Sequence, residues 1–519
     1  MSSTACRLRQ LVSGVLAGAL AWSVSGCVGP NFVPPPAPDV ETFLPGKLAS
    51  PSPAPSGPHV AGQHFITGAE VSARWWAAFQ SEPLNALIRQ AVEHNPSLQS
   101  AEAAIRIAQF NALAQRGAWA PQLTGNSVSS QNHFGDISGN ITSAPATDYS
   151  LVTNQLTVTF TPDIWGANFR AVENLDAITE QNLFQLEAAY LTLTGNVVTA
   201  AIQEASLRGQ IAATERIIGI ERHALDILKK QLSFGQVAQA DVLLQEAALA
   251  AAEQLLPPLQ KQLDQQRDLL TALAGQLSAD QIMQKFDLAH LKLPANLPIS
   301  LPSKLVDQRP DVRAGEAVMH SASAQIGVAI AARLPNIQLS AVGGSNAFNW
   351  AQSFTPGAGF YTVAAGVTAP IFDGFTLYNK QKAAEAALEQ AEALYRSAVI
   401  TAFQNVADAL RALQSDARAM QAAVHAEAAA KASLDIVLKQ LDAGQVNVLA
   451  LLSAQQTYLT AVVARVVTEA NRLSDTVALF IALGGGWPTS CTTKVWRECV
   501  TGEAPQVSAA PTEPASLTR

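Results

Sequence analysis

The sequence predicts an internally duplicated α+β fold in which each half carries a short β-hairpin and a very long antiparallel helical hairpin. Three observations lead there. Segments of the second half repeat segments of the first, in the same order and at nearly constant spacing. Two stretches of about 67 residues contain no proline and place apolar side chains at alternating steps of three and four. Ahead of each lies a stretch rich in Thr, Ser, Asn, Gly and Val that alternates with a period of two.

The repeat organises the chain, as fixed-offset self-similarity should. Pro96, Glu102, Ala103, Ala108, Ala118 and Pro121 recur as Pro310, Glu316, Ala317, Ala322, Ala332 and Pro335, at an offset of 214. Pro162 and Gly166 recur as Pro370 and Gly374, at an offset of 208. Leu225–Val237 matches Leu434–Val446 at nine of thirteen positions, at an offset of 209.

Each half then reads in the same order. A proline opens a helix, over 97–120 and 311–334, because its missing N–H is no loss in a first turn. Strands follow near 122–132, 149–161, 336–348 and 359–369, paired as hairpins 122–161 and 336–369. In the second strand Val152, Leu156, Val158 and Phe160 share one face and Leu151, Thr153, Gln155, Thr157 and Thr159 the other. Long helices follow over 168–234 and 376–443, each roughly 100 Å at about 1.5 Å per residue. Leu183, Leu186, Tyr190, Leu193 and Val197, and Leu410, Leu413, Ala417, Met420 and Val424, give them a heptad seam for packing against other helices. Gly235 and Gly444 stop them, as a C′ glycine does. Return helices run to about 274 and 483, the first interrupted at Pro257-Pro258.

The N-terminus reads as an address. Arg7 and Arg9 precede an apolar run, Leu11–Val24, too short to span a bilayer, which makes 1–26 a signal peptide. Val24-Ser25-Gly26-Cys27 resembles a lipobox, so Cys27 is the expected lipid anchor. Residues 27–63 form the lipidated N-terminus and a linker; 30–58 hold ten of the 28 prolines. The repeats occupy 64–300, with a helical hairpin over 168–274, and 301–490, with a helical hairpin over 376–483. A polar tail closes the chain at 491–519. Export leaves Cys491 and Cys499 free to form a disulfide.

Composition excludes several functions. A net charge of −8 argues against a nucleic-acid partner. No apolar run of about 18 follows the first thirty positions, so a bundle of transmembrane helices is excluded. No histidine pair has metal-ligand spacing, Gly484-Gly485-Gly486 lacks a phosphate loop's context, and no nucleophile elbow occurs. No enzymatic activity, metal or cofactor is expected. Four strands cannot close a barrel, and open edges are not tolerated in hydrocarbon. Three copies would supply twelve strands. Trp119, Phe160, Trp165, Phe348, Trp350, Phe354, Phe372 and Phe375 near the strand ends fit interfacial girdles.

These features carry a family resemblance over about residues 24–487. Its marks are Cys27-Val28-Gly29-Pro30-Asn31-Phe32, Trp75-Trp76 with Phe79, Pro83-Leu84, Leu87-Ile88, Asn95-Pro96 and Arg309-Pro310-Asp311. Further marks are Pro162-Asp163-Ile164-Trp165-Gly166, Pro370-Ile371-Phe372-Asp373-Gly374 and Leu483-Gly484-Gly485-Gly486-Trp487. The chain resembles the outer-membrane efflux lipoproteins of tripartite pumps, the OprM/TolC-like channels, and among them the NodT subgroup. The resemblance implies a homotrimer held in outer-membrane lipid, with a shared transmembrane β-barrel, a long α-helical barrel through the periplasm and a mixed collar formed near 64–80, 276–308 and the C-terminal end. It implies a passive exit duct for small molecules such as drugs, served by a periplasmic adaptor protein and an inner-membrane RND transporter. The tips at Gly235 and Gly444, with Lys229, Lys230 and Lys439 beside them, would meet the adaptor. Related channels close with Asp or Leu rings; here those Asp positions fall on Ala450 and Ser453, so Leu449, Ser453 and Asp241 are the expected constriction. A type I protein-secretion channel and a periplasmic coiled-coil scaffold lipoprotein are the rival readings.

Overall fold

A computed structural model describes residues 28–46, 62–134 and 147–486. The signal peptide, Cys27, Cys491 and Cys499 lie outside the described residues, as does the closing Trp487. The chain divides into two compact units. One takes residues up to Pro35, Ala103–Asn182 and Ala314–Arg396; the other takes Pro36–Glu102, Leu183–Arg313 and Ser397 onward.

The first unit is built on one four-stranded antiparallel sheet. Its strands are β2 (Gln122–Phe134), β3 (Thr147–Phe160), β5 (Asn336–Ala347) and β6 (Gly359–Thr368), in the order β2-β3-β5-β6. The two expected hairpins are therefore present, and they pair through β3 and β5. Helices α2 (Pro96–Arg116) and α7 (Pro310–Ala331) lead into the hairpins, and the long helices α3 (Ala167–Ser233) and α8 (Thr376–Asp442) leave them. Each long helix has 67 residues. Both are capped by an aspartate from the Pro-to-Gly motif ahead of them. Asp163 accepts from the N–H groups of Asn168 (3.1 Å) and Phe169 (2.8 Å), and Asp373 from that of Leu377 (2.8 Å). A carboxylate there satisfies orphan donors and complements the helix dipole.

The second unit packs helices. Return helices α4 (Gln239–Gln254) and α5 (Leu256–Leu273) are separate, with the break at Leu255 just before Pro257-Pro258, whereas α9 (Val448–Ala482) runs unbroken. The heptad seams are the core: Leu186, Tyr190, Leu193, Val197, Leu410, Leu413, Ala417 and Met420 are all buried. The region expected to form a mixed collar is more ordered than its sequence suggests. It holds α1 (Glu82–His94), α6 (Pro302–Gln308) and a parallel pair, β1 (His64–Thr67) with β4 (Asn296–Ile299). Periodicity over four residues is too short to reveal such a pair. Trp75, Trp76 and Phe79 fill its centre; Trp75 stacks on Phe480 at 5.6 Å and Trp76 meets Tyr190 edge-on at 6.2 Å.

The duplication extends to the latches. Asn95, before Pro96, donates its amide to the carbonyl of Leu273 at the end of α5 (3.1 Å). Arg309, before Pro310, donates to the carbonyl of Ala482 at the end of α9 (3.0 Å). Each repeat thus ties its entry helix to the last carbonyls of its return helix, groups that would otherwise lack partners.

Phe79 has no exposed surface. Phe79→Ala should destabilise this unit by about 3–5 kcal/mol. Denaturant unfolding of the purified protein checks this; an unchanged midpoint would contradict the packing.

Candidate functional site

The sheet has an unusual distribution of side chains. Paired residues lie on the same side of a sheet, so the register sorts the two faces. One face carries Leu123, Leu156, Val158, Phe160, Leu339, Ala341, Tyr361, Val363 and Val367. The other is mostly polar: it carries Thr124, Asn126, Thr153, Gln155, Thr157, Thr159, Gln338, Ser340, Asn346 and Thr362, with Val128, Leu151, Val342 and Phe360 among them. Among the described residues, neither face is packed into a core over most of its area. Leu123 is 66% exposed, Leu156 57%, Tyr361 85% and Val363 77%. Val152, on the apolar side, is the exception and is buried. The alternation in β3 is therefore present, but its apolar side is mostly not a protein core.

Among the described residues, the outer strands β2 and β6 are each paired on one side only. At 10 to 14 residues the strands are long enough to cross a bilayer at a tilt, which takes about 9–11. No helix among the described residues is long and apolar enough to do so. Of the expected girdle aromatics, Trp119, Phe348, Trp350, Phe354, Phe372 and Phe375 are exposed.

In this chain a sheet with one mostly apolar and one mostly polar face leads into two helices of 67 residues each. The chain belongs to the outer membrane efflux protein family. The family model matches residues 87–276 and 301–485, one segment in each half of the duplication. The pyoverdine export outer membrane protein OpmQ of Pseudomonas putida is 29% identical over 430 residues, covering 81% of this chain and 90% of that protein. Nodulation protein T of Rhizobium leguminosarum is 24% identical, covering 89% and 95%. The crystal structure of the Campylobacter jejuni CmeC outer membrane channel superposes with a TM-score of 0.82 at 21% identity, over 91% of this chain and 98% of that one. The chain is accordingly an outer-membrane efflux channel of the NodT-like kind, and not an enzyme.

The two helix tips fall side by side in the second unit. Gly235 and Gly444 have φ of 73° and 70°, the left-handed region that favours glycine. Each closes its helix identically: Gln236 N–H reaches Gln231 O (2.9 Å), and Gln445 N–H reaches Gln440 O (2.8 Å). Gln231 Nε2 donates across to Leu441 O at 2.9 Å, and one apolar cluster including Leu228, Val242, Leu441 and Leu451 unites both turns. Lys230 and Lys439 are exposed there, while Lys229 is engaged with Glu246 at 3.0 Å. Phe234, 78% exposed, sits in the first tip and has no counterpart in the second, where Ala443 stands. Its lone position in the repeat alignment could have singled it out.

The expected constriction residues divide by role. Leu449 (65% exposed) and Ser453 lie on the open face of α9. Asp241 instead turns back on its own helix, where Oδ2 accepts from the N–H of Ala238 (3.0 Å). In the second repeat the equivalent turn is capped from the other end, Asn447 Oδ1 accepting from Ala450 N–H (3.0 Å).

Buried carboxyls on the helices were not legible as such in the sequence. Burial pushes Glu187 and Glu221 up to about 7, opposed by Arg313 in the first case and reinforced by Glu253 in the second. Asp416 is also raised to about 7, by burial and by a shared hydrogen bond with Asp475, against the pull of Arg472. Acids raised in this way favour folding at low pH, and that contribution is lost as pH climbs through about 7. That loss begins near pH 4, where the unfolded carboxyl ionises, so Asp416→Asn should raise the thermal midpoint most at pH 8 and leave it nearly unchanged at pH 3.5. Equal shifts at both pH values would refute the assignment.

Proposed function

We propose that three copies close their sheets into one twelve-stranded barrel through the outer membrane, and their helices into a periplasmic tube, forming a passive exit duct. The open-edged, two-faced sheet carries this reading. Roughly half the backbone groups of an edge strand point outward, and each costs several kcal/mol unsatisfied in hydrocarbon. Two such edges amount to tens of kcal/mol, which pairing β2 of one copy with β6 of the next removes. The apolar face then meets lipid, and the polar face lines water.

The helices support the same closure. On α9 the exposed stripe Leu449, Ser453, Gln456, Thr460 and Val467 adjoins an apolar groove with Leu255, Pro258 and Leu259. Leu449 and Ser453 form the constriction, with Asp241 holding the neighbouring turn in shape. The tips at Gly235 and Gly444, with Lys230 and Lys439, dock a periplasmic adaptor that connects to an inner-membrane RND transporter. Relatives named for pyoverdine export, toluene efflux and cation efflux fall in similar identity ranges. That spread supports leaving cargo choice, among small molecules, to the inner-membrane pump. Cys27 carries the lipid, and Cys491 with Cys499 forms a disulfide.

Native mass spectrometry of detergent-extracted protein should show a trimer with three acylated chains. A stable monomer would overturn the closed barrel and favour a scaffold. In planar bilayers, Leu449→Ala should raise single-channel conductance; an unchanged value would remove Leu449 from the constriction.

A further inference from the structure

The described chain opens with a strap, Val28–Phe32, held by a buried arginine. Arg170, in the first turn of α3, is 2% exposed. Its Nε donates to Val28 O (3.2 Å), and its Nη2 to Gly29 O (3.4 Å) and Asn31 Oδ1 (2.7 Å). Its Nη1 meets Glu173 Oε2 at 2.7 Å. Phe32 stacks on the ring of His320, with centroids 4.6 Å apart and planes at 12°. His320 Nε2 in turn donates to Glu173 Oε1 at 3.0 Å. Gly29 has φ of 102° and crosses α7 so closely that a Cβ would come 2.5 Å from Gly327 Cα.

Helix α3 does not need this arrangement, since Asp163 already caps it. A buried guanidinium costs several kcal/mol unless its donors are placed. Here three of its four hydrogen bonds go to the strap, so helix and strap depend on one another. Val28 N–H also donates to Trp165 O (3.1 Å), and Trp165 Nε1 donates to Pro335 O (2.7 Å). Those residues stand just after β3 ends and just before β5 begins.

We propose that Arg170, Glu173 and His320 form a receptor for the Val28–Phe32 strap, which fixes where the lipid on Cys27 enters the bilayer relative to the strand bases. The idea rests on the lipid assignment above. Cys27 is one Cα step, about 3.8 Å, from Val28. Val28, the residue that follows Cys27 in the chain, is thereby held beside Trp165 just after β3, and the strap presents the strands to the membrane before copies join. Arg170 is a positioning residue.

The test uses the full chain in outer membranes, with Cys491→Ser and Cys499→Ser and a nitroxide on Val33→Cys, a site 76% exposed. Arg170→Met, Gly29→Ala and Asn31→Leu should each turn an immobilised spectrum into a mobile one. The last two act from the strap and leave the helix intact. Arg116→Met, which removes an exposed pair with Asp176 in the same unit, should not. Acyl mass should be retained in all variants, and trimer should appear several-fold more slowly in the three strap variants. An immobile label in those three would overturn the receptor. A mobile label with unchanged trimer formation would overturn its positioning role. Absence of acyl mass from the unsubstituted chain would overturn the lipid assignment, while the label would still decide the receptor.

Discussion

Everything in this chain follows from a sheet that cannot satisfy itself. Among the described residues its apolar face is mostly uncovered, its polar face is no better packed, and both edges offer unpaired backbone groups. In the proposed closure, lipid on one side, water on the other and another copy at each edge would satisfy all three demands together. The helices share the condition, because a helix of about 100 Å has more surface than one return helix can bury. The family's channel function is thus written into the sheet and helices as unfinished surfaces.

Duplication sets how the two halves meet these demands. Each repeat needs a cap for its long helix, a latch from entry helix to return helix and a closed turn at its tip. Asp163 and Asp373 supply the caps, from different steps after their prolines. Asn95 and Arg309 supply the latches with different donors to equivalent carbonyls. Asp241 and Asn447 cap the two return helices from opposite ends of the same turn. The geometry is kept while the residues diverge, which is why identity between the halves is confined to short blocks.

Much of this was legible beforehand. Prolines, glycines and the heptad seam placed the long helices to within a residue or two, because these are strong and repeated constraints. The strands were legible by alternation, and the insufficiency of four strands followed from their number. The parallel β1–β4 pair was not, since its four-residue strands pair across more than two hundred positions. Burial of Asp416 and Glu221 was hidden because one carboxylate on an Ala-rich helix looks like another until its neighbours are known. The motif after Cys27 was visible as a family mark, but its partners Arg170, Glu173 and His320 lie far along the chain. The role of Asp241 as a cap was open to inference from its place three residues after Ala238, a position that favours acidic caps.

The most direct measurement of the central claim is solvent accessibility along β3 in native outer membranes. Nitroxides placed singly at Gln155, Leu156, Thr157 and Val158 would be relaxed by oxygen, which concentrates in lipid, and by a water-soluble nickel chelate. The account predicts strict alternation, with Leu156 and Val158 reached by oxygen and Gln155 and Thr157 by nickel. Equal access of the nickel chelate to all four positions would place both faces in water and contradict a shared transmembrane barrel.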